Sequence, residues 1–153
     1  MAYYTKVLQP DETVKYVGKL HWTIYRNAIL FGIVLVESAA VCLVQPDNRR
    51  PLWLVVVAVL LLMTVIAFVG AWFVRWGTEI VVTDKRIIHK TGWIARRTQE
   101  IGLSKVETVD VAQGIIGRIL GFGTVIIRGT GGSWEPLFRV ASPLRLRNAI
   151  IVD

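Results

Sequence analysis

The sequence predicts a membrane protein of the α+β class. Two transmembrane helices form a hairpin and are followed by a small antiparallel β sandwich or barrel that ends in one helix. Three observations lead to this fold class. Of the 153 residues, 54% are hydrophobic and only 19% are charged, against roughly 25% charged in an ordinary soluble domain, and residues 28–74 hold most of the apolar excess. Residues 78–140 alternate short β-branched runs with turns, and residues 142–153 space their apolar positions as a helix does.

Two apolar segments are candidates for crossing a bilayer. Residues 28–44 number 17 and residues 52–74 number 23, and a bilayer core of about 30 Å takes roughly 20 helical residues. The link at 45–50 is too short for a domain, so the segments predict an antiparallel hairpin. A soluble core helix is the alternative for each segment, and aromatic rings that suit the headgroup level make it less favoured. The predicted interface anchors are Trp22, Tyr25, Trp53, Trp72 and Trp76.

The distribution of basic residues predicts the topology. Basic residues precede the first segment and follow the second, whereas the link carries only Arg49 and Arg50 beside Asp47. The positive-inside rule then places both termini in the cytoplasm, in a multi-pass protein of the inner membrane. The predicted divisions are a juxtamembrane segment at 1–27, the hairpin at 28–74 and a cytoplasmic domain at 75–153. A cleavable signal peptide is not expected, and the single cysteine, Cys42, allows no intrachain disulfide.

The predicted cytoplasmic domain is basic. From residue 75 onward the chain has 12 Lys and Arg against 7 Asp and Glu, a net charge of +5. A basic domain tethered at the inner leaflet is attracted to anionic lipid, by about 1 kcal/mol for each basic group near the surface. We therefore expect the lipid bilayer, including its anionic lipids, as a partner. Nucleic acid is not expected, because the chain has no nucleic-acid-binding motif.

Six extended runs predict the strands of the β domain, at 78–84, 86–91, 95–103, 105–112, 124–130 and 136–140. Their spacing is typical of antiparallel hairpins in a sandwich or barrel. Ser142 and Pro143 then predict a helix start, as N-cap and first helical residue. Leu146, Ala149 and Ile150 fall on one face of that helix, which should cover an open end of the β structure.

Short motifs follow one another in a specific order. They are "TEIVVTDKRII" at 78–88, "GW" at 92–93, "RRTQEI" at 96–101, "VETVDVAQ" at 106–113 and "RILGFGTV" at 118–125, after an N-terminal Pro-x-Glu and His-Trp in "LQPDETVKYVGKLHW". In this order they resemble the bacterial PH-like (pleckstrin-homology-like) domain family of small two-span membrane proteins. The resemblance covers essentially the whole chain. It implies a PH-like fold and a non-catalytic adaptor, assembly module or sensor, and it implies no common ligand.

The glycine-rich stretch at 113–132 raises the question of a phosphate site. A P-loop requires Gly-Lys, which is absent there, and "GFG" at 121–123 lacks the third glycine of a dinucleotide fingerprint and precedes a strand. Turn chemistry fits better, with positive φ at Gly121 and Gly123 and a hairpin tip at 129–132. Arg118 lies among Ile115, Ile116, Ile119 and Leu120. That cluster either packs locally in the core or contacts the membrane or another subunit.

Two further sets of charged residues are candidates for binding. Glu37 lies near the middle of the first segment, where an acid is costly unless it is paired; contact with another helix or subunit is the preferred interpretation, ahead of an ion pathway or a shifted span. Lys90, Arg96 and Arg97 loosely resemble the basic hairpin of eukaryotic PH domains, although here the two arginines are adjacent. They form either a solvated basic face or a surface for anionic lipid or a partner.

These observations favour a membrane-anchored scaffold that self-assembles or binds a protein or anionic lipid. No catalytic constellation, metal-ligand cluster or cofactor motif is found, so an enzyme is not expected. The partners expected are the bilayer and a homo-oligomer or membrane protein. The alternative is a subunit of an oligomeric channel or transporter in which Glu37 faces the path.

Overall fold

A computed structural model describes residues 7–92, 95–130, 132–133 and 136–151. The chain divides into two compact units. One contains the chain up to His21 together with the chain from Val74 onward, and the other is Trp22–Phe73. Trp93, part of the "GW" motif, and Gly131, in the predicted hairpin tip, lie outside the described residues.

The first unit begins with a four-stranded antiparallel sheet. Its strands follow one another in chain order as β1 (Val14–Gly18), β2 (Glu79–Thr83), β3 (Arg86–Thr91) and β4 (Arg97–Gly102). Strands β2 to β4 confirm the extended runs predicted from the sequence. The connection between β2 and β3 has two residues, Asp84 and Lys85.

The sequence analysis did not predict strand β1. It pairs antiparallel with β2, so that Gly18 is opposite Ile80 and Val14 is opposite Thr83. The two strands are separated in the chain by both apolar helices. A five-residue run whose pairing partner lies more than sixty residues away gives little local signal, which is why the predicted juxtamembrane segment contained no strand. Residues before the helices thus form the edge of the β domain.

The second sheet is also antiparallel. It contains β5 (Val106–Ala112), β6 (Phe122–Gly129), β7 (Gly132–Ser133) and β8 (Leu137–Ala141), and β6 pairs with each of the other three. A short helix, α3 (Ile115–Leu120), connects β5 to β6 and contains the apolar cluster around Arg118. Residues 19–21 extend this sheet, because the Ala141 amide donates to the Lys19 carbonyl and the His21 amide donates to the Arg139 carbonyl.

One hydrophobic core lies between the two sheets and under the C-terminal helix, α4 (Pro143–Ile151). Helix α4 begins at the predicted proline. Leu146 and Ile150 are buried and Ala149 packs beside them, which confirms the predicted apolar face. The buried members of the core are Ile80, Val82, Ile87, Val109, Val125, Ile127, Leu137, Val140, Leu146 and Ile150.

The conformation predicted for Gly123 is wrong. Gly121 has the expected positive φ of 77°, but Gly123 is not among the residues of positive φ in the described chain. Gly123 is needed for close packing, because a Cβ there would lie 2.9 Å from the Ala112 carbonyl oxygen and 3.1 Å from Pro143 Cγ.

The second unit is a helical hairpin. A 3₁₀ turn at Trp22–Tyr25 leads into α1 (Arg26–Val44), and α2 (Arg50–Gly77) follows the link. The Tyr25 and Phe68 rings stack with centroids 5.3 Å apart, so the start of α1 lies beside the second half of α2 and the helices are antiparallel. Counted with the 3₁₀ turn, the two helices have 23 and 28 residues and are apolar enough to cross a membrane.

Candidate functional site

A buried ion pair joins the N-terminal segment to the first sheet. The Glu12 side chain has no exposed surface. Its Oε1 accepts hydrogen bonds from Thr83 Oγ1 at 2.7 Å and from Arg86 Nε at 2.9 Å, and its Oε2 accepts from Arg86 Nη2 at 2.8 Å. This geometry is a two-pronged contact between a guanidinium and a carboxylate, the strongest form of such a pair. Glu12 and Arg86 are 74 positions apart in the chain.

Further contacts complete this arrangement, which we call the clasp (Glu12, Thr83, Arg86 and Glu100). Arg86 Nη1 donates to Glu100 Oε2 at 2.8 Å, and its Nη2 donates to the Val7 carbonyl at 3.0 Å. The Thr83 hydroxyl also accepts from the Arg86 amide at 3.0 Å, which closes the turn between β2 and β3. The Nε, Nη1 and Nη2 groups of Arg86 therefore each donate to an acceptor.

Glu12 and Arg86 are both charged at neutral pH. Hydrogen bonds from Arg86 lower the pKa of Glu12 to about 2, even though burial acts in the opposite direction. The same contact raises the pKa of Arg86. The sequence analysis did not assign a role to these residues. The signal that could have found them was in the motifs, since Glu12 belongs to the Pro-x-Glu and Thr83 and Arg86 belong to "TEIVVTDKRII".

The three basic residues predicted to form one surface have different environments. Lys90 is buried on β3, and its Nζ lies 3.8 Å from the Glu79 carboxylate. Because Lys90 is buried, it does not belong to an exposed basic face. Its charge is compensated by Glu79. Arg96 and Arg97 are exposed where β4 begins, and Arg97 pairs in register with Thr91 of β3. Arg118 lies apart from these residues, on α3 beside the second sheet.

Helix α3 presents its apolar residues to the surroundings. Ile115 is 81% exposed and Ile119 is 77% exposed, and Ile116 and Leu120 are also exposed. Local core packing, one of the two interpretations of this cluster, is therefore wrong. The only buried residue of α3 is Gly117, where a Cβ would lie 2.6 Å from the Phe122 carbonyl oxygen. Backbone packing at Gly117 holds the helix on β6 and leaves its large side chains outside.

The residues at which the chain leaves and re-enters the β domain lie beside α3. His21, the last residue of this unit before the helices, stacks on Phe122 with ring centroids 5.2 Å apart. Burial lowers the pKa of His21, the charge of Arg75 acts in the same direction, and a hydrogen bond with the backbone of Leu120 opposes them. Arg75 lies in the last turn of α2, just before the chain returns to the β domain. The exposed isoleucines of α3 therefore lie at the same end of the β domain as the two points where the chain connects to the helices.

Glu37 does not point toward the other helix of the hairpin. On α1, Gly32 faces Thr64 of α2, since a Cβ at Gly32 would lie 3.9 Å from Thr64 Cγ2. Five residues at 3.6 per turn rotate Glu37 by roughly 140° from that contact. Glu37 is exposed accordingly. Any partner of this carboxyl group must come from outside the hairpin.

The predicted anchors lie near the helix ends. Trp22 and Tyr25 form the turn before α1, Trp53 is in the first turn of α2, and Trp72 and Trp76 are in its last turns. Trp22, Trp72 and Trp76 are exposed, whereas Tyr25 is held against Phe68. Four of these rings are therefore near the end of the hairpin where its two termini meet, and Trp53 is near the link.

Comparison with known protein families identifies the chain. The family profile described as "Bacterial PH domain" matches residues 28–151. The chain belongs to the bacterial PH domain family. No curated protein and no solved structure matches it. The match confirms the resemblance drawn from the motifs, and in this bacterial PH domain it spans both apolar helices as well as the β domain. It begins after β1 and Glu12, so the strand and acid that complete the first sheet lie outside the matched region.

Proposed function

We propose that this bacterial PH domain is a non-catalytic interaction module anchored by two transmembrane helices at the cytoplasmic face of the inner membrane. There it binds anionic lipid, a membrane-protein partner or further copies of itself. Membership of the PH domain family supports an interaction module. The net charge of +5 after residue 74 supports attraction to an anionic surface.

The observation that carries the proposal is the pairing of β1 with β2. These strands come directly before and after the helical hairpin. The side chain of Glu12, which precedes β1, is fully buried and accepts hydrogen bonds from Thr83 and Arg86, which follow the hairpin. Because one folded domain holds both ends of the hairpin, both ends must lie on the same side of any membrane that the helices cross. This argument is independent of the positive-inside rule and leads to the same two-span topology.

The surface of the helices supports insertion. Leu, Val, Ile and Phe side chains along α1 and α2 are exposed over most of both helices. A helix of a soluble core would bury such side chains, whereas a continuous exposed apolar surface is suited to a membrane or an interface. The aromatic rings at the helix ends fit the headgroup regions.

The topology gives the first prediction. In a Cys42→Ala background, a cysteine at Asn48 in the link will react with a membrane-impermeant maleimide in intact spheroplasts. A cysteine at Glu107 in the β domain will react only after permeabilisation, and both proteins will resist carbonate extraction. Labelling of the Glu107 site in intact spheroplasts would contradict the proposed orientation. Extraction by carbonate would contradict membrane anchoring itself.

Self-association gives the second prediction. An acid exposed to lipid at mid-span is unfavourable by several kcal/mol, so we expect Glu37 to hydrogen-bond to a second copy. Glu37→Leu should weaken the oligomer by roughly 5- to 30-fold, because a hydrogen bond between transmembrane helices contributes about 1–2 kcal/mol in peptides. Glu37→Gln is the matched control and should keep the oligomer. Light scattering in mild detergent measures both, and a monomeric parent protein or an unchanged Glu37→Leu variant would argue against this role.

A further inference from the structure

We infer that α3 and the groove beside it form a binding site for an anionic phospholipid, with the isoleucines of α3 in the membrane interface and Arg118 and Arg147 on the lipid phosphate. The inference rests on the proposed membrane anchoring and names the ligand that the β domain binds. Lys90, Arg96 and Arg97, which loosely resemble the basic hairpin of eukaryotic PH domains, do not line this groove.

The groove lies between β5, α3 and α4 and has a volume of about 390 Å³. Arg118 and Arg147 line it and are both exposed. Asp110 also lines it, but its carboxylate lies 3.3 Å from Arg128 Nε, so its charge is offset. In the described part of the chain the groove therefore has a positive balance, which suits a phosphate rather than a cation. The remaining lining residues are Val109, Val111, Gln113 and Leu144.

The wall of this groove continues into an apolar surface. Arg118 is on the same short helix as Ile115, Ile116 and Ile119, all of which are exposed. A side-by-side arrangement of exposed aliphatic groups and an arginine matches a phospholipid, whose acyl chains and phosphate are also adjacent. A soluble anion would use the arginines but would leave the isoleucines in water.

The position of α3 in the β domain selects the membrane as the occupant. His21 contacts Phe122 and the backbone of Leu120, and the charge of Arg75 acts on His21. His21 directly precedes the 3₁₀ turn before α1, and Arg75 lies in the last turn of α2, so the chain enters and leaves the helical hairpin beside these two residues. If the hairpin crosses a bilayer, this end of the β domain is held at its surface, and the isoleucines of α3 are at that end. The packing of Gly117 on the Phe122 carbonyl keeps the large side chains of α3 outward.

The test measures which lipids contact α3 in the full chain. In a Cys42→Ala background, a cysteine replacing Ile119 is labelled with the fluorophore NBD and the protein is reconstituted in nanodiscs. Nitroxide-labelled phosphatidylcholine or nitroxide-labelled phosphatidylglycerol serves as the quencher. A cysteine replacing Glu107, an exposed residue at the opposite end of β5 from α3, is the control position. We expect strong quenching at position 119, little at 107, and more quenching by the phosphatidylglycerol probe.

Arginine variants test the groove. Arg118→Gln and Arg147→Gln should each lower the preference for phosphatidylglycerol roughly fivefold, the effect of one basic group beside an anionic surface. Arg145→Gln should leave it unchanged, because Arg145 is exposed on the same helix as Arg147 but does not line the groove. All three residues are exposed, so the fold should tolerate these substitutions.

Three outcomes would overturn the inference. One is equal quenching at 119 and 107 in a protein that still resists carbonate extraction, and another is a preference unchanged by both groove variants. The third is protection of position 119 from quenching by the labelled lipids that increases with the protein-to-lipid ratio. Such protection would assign the surface to a second copy of the chain. A protein that carbonate extracts would instead overturn the proposed membrane anchoring, so the two failures are distinguishable.

Discussion

Replacing Arg86 with methionine will lower the free energy of unfolding by about 3–5 kcal/mol, the range found when one partner of a buried ion pair is removed. The Glu12 carboxylate accepts three hydrogen bonds from Thr83 and Arg86 and has no exposed surface. Methionine approximates the length of the arginine stem but donates no hydrogen bond, so the carboxylate would stay buried without its cation. Denaturant unfolding of the purified protein in mild detergent, monitored by spectroscopic signals from the β domain, measures this decrease in the free energy of unfolding.

Two variants make this prediction specific. Arg128→Met removes one partner of the exposed Asp110–Arg128 pair, whose side chains are 47% and 60% exposed, and should cost no more than about 1 kcal/mol. A double Glu12→Leu/Arg86→Met variant should recover part of the loss, because no unpaired charge is left buried. Equal effects of Arg86→Met and Arg128→Met would contradict a buried clasp.

The clasp also predicts a pH dependence. The pKa of Glu12 is lowered from 4.5 to about 2 in the folded protein. As the pH falls below about 4.5, the unfolded state binds a proton that the folded state does not, so the contribution of Glu12 to stability is complete above that pH and is lost progressively toward pH 2. Melting curves across this range should show a smaller acid dependence in Glu12→Leu/Arg86→Met than in the parent protein. An equal dependence would mean that other carboxylates dominate.

The second large effect concerns the part of the chain that folds independently. Residues 75–153 expressed alone should fail to fold stably, because they lack β1 and Glu12. The edge of β2 would be unpaired, and Thr83 and Arg86 would lose their buried acceptor. A chain in which a short Gly/Ser linker replaces residues 22–73 should fold in water. Gly18 and Ile80 are opposite each other across β1 and β2, so the two cut ends are close enough to join.

Circular dichroism and NMR amide dispersion distinguish the two proteins. We expect a cooperative thermal transition and dispersed amide signals only for the linked chain. Arg86→Met in the linked chain should lower its melting temperature, which ties this experiment to the clasp. A protein of residues 75–153 that melts at the same temperature as the linked chain would show that β1 and Glu12 are dispensable.

Much of the fold could be predicted because its signals are local. The strand "RIIHKT" was predicted with its observed bounds, Arg86–Thr91, since β-branched residues lie between two turn signals. Helix α4 begins at Pro143 as expected, and Leu146 and Ile150 share its buried face. Both patterns are formed by residues close together in the sequence, so predicting them needs no knowledge of a distant partner.

The candidate site could be predicted only in part. The apolar character of "IIGRIL" was evident, but its exposure depends on how the Gly117 backbone packs on Phe122. Lys90 was predicted to share a basic surface with Arg96 and Arg97, and only its register opposite Glu79 reveals the compensating charge. The sequence analysis assigned no role to Arg147, and the groove that it shares with Arg118 forms from three separate elements.

The sequence by itself determined the two long apolar helices, the series of short strands and the amphipathic C-terminal helix, because composition and periodicity act over neighbouring residues. The tertiary structure alone decided that β1 completes a sheet whose other strands follow the hairpin, and that Glu12 is buried on Arg86. It also decided which face of α1 carries Glu37 relative to α2. These features depend on contacts between residues far apart in the chain, whose energies are set by register and burial that no local pattern specifies.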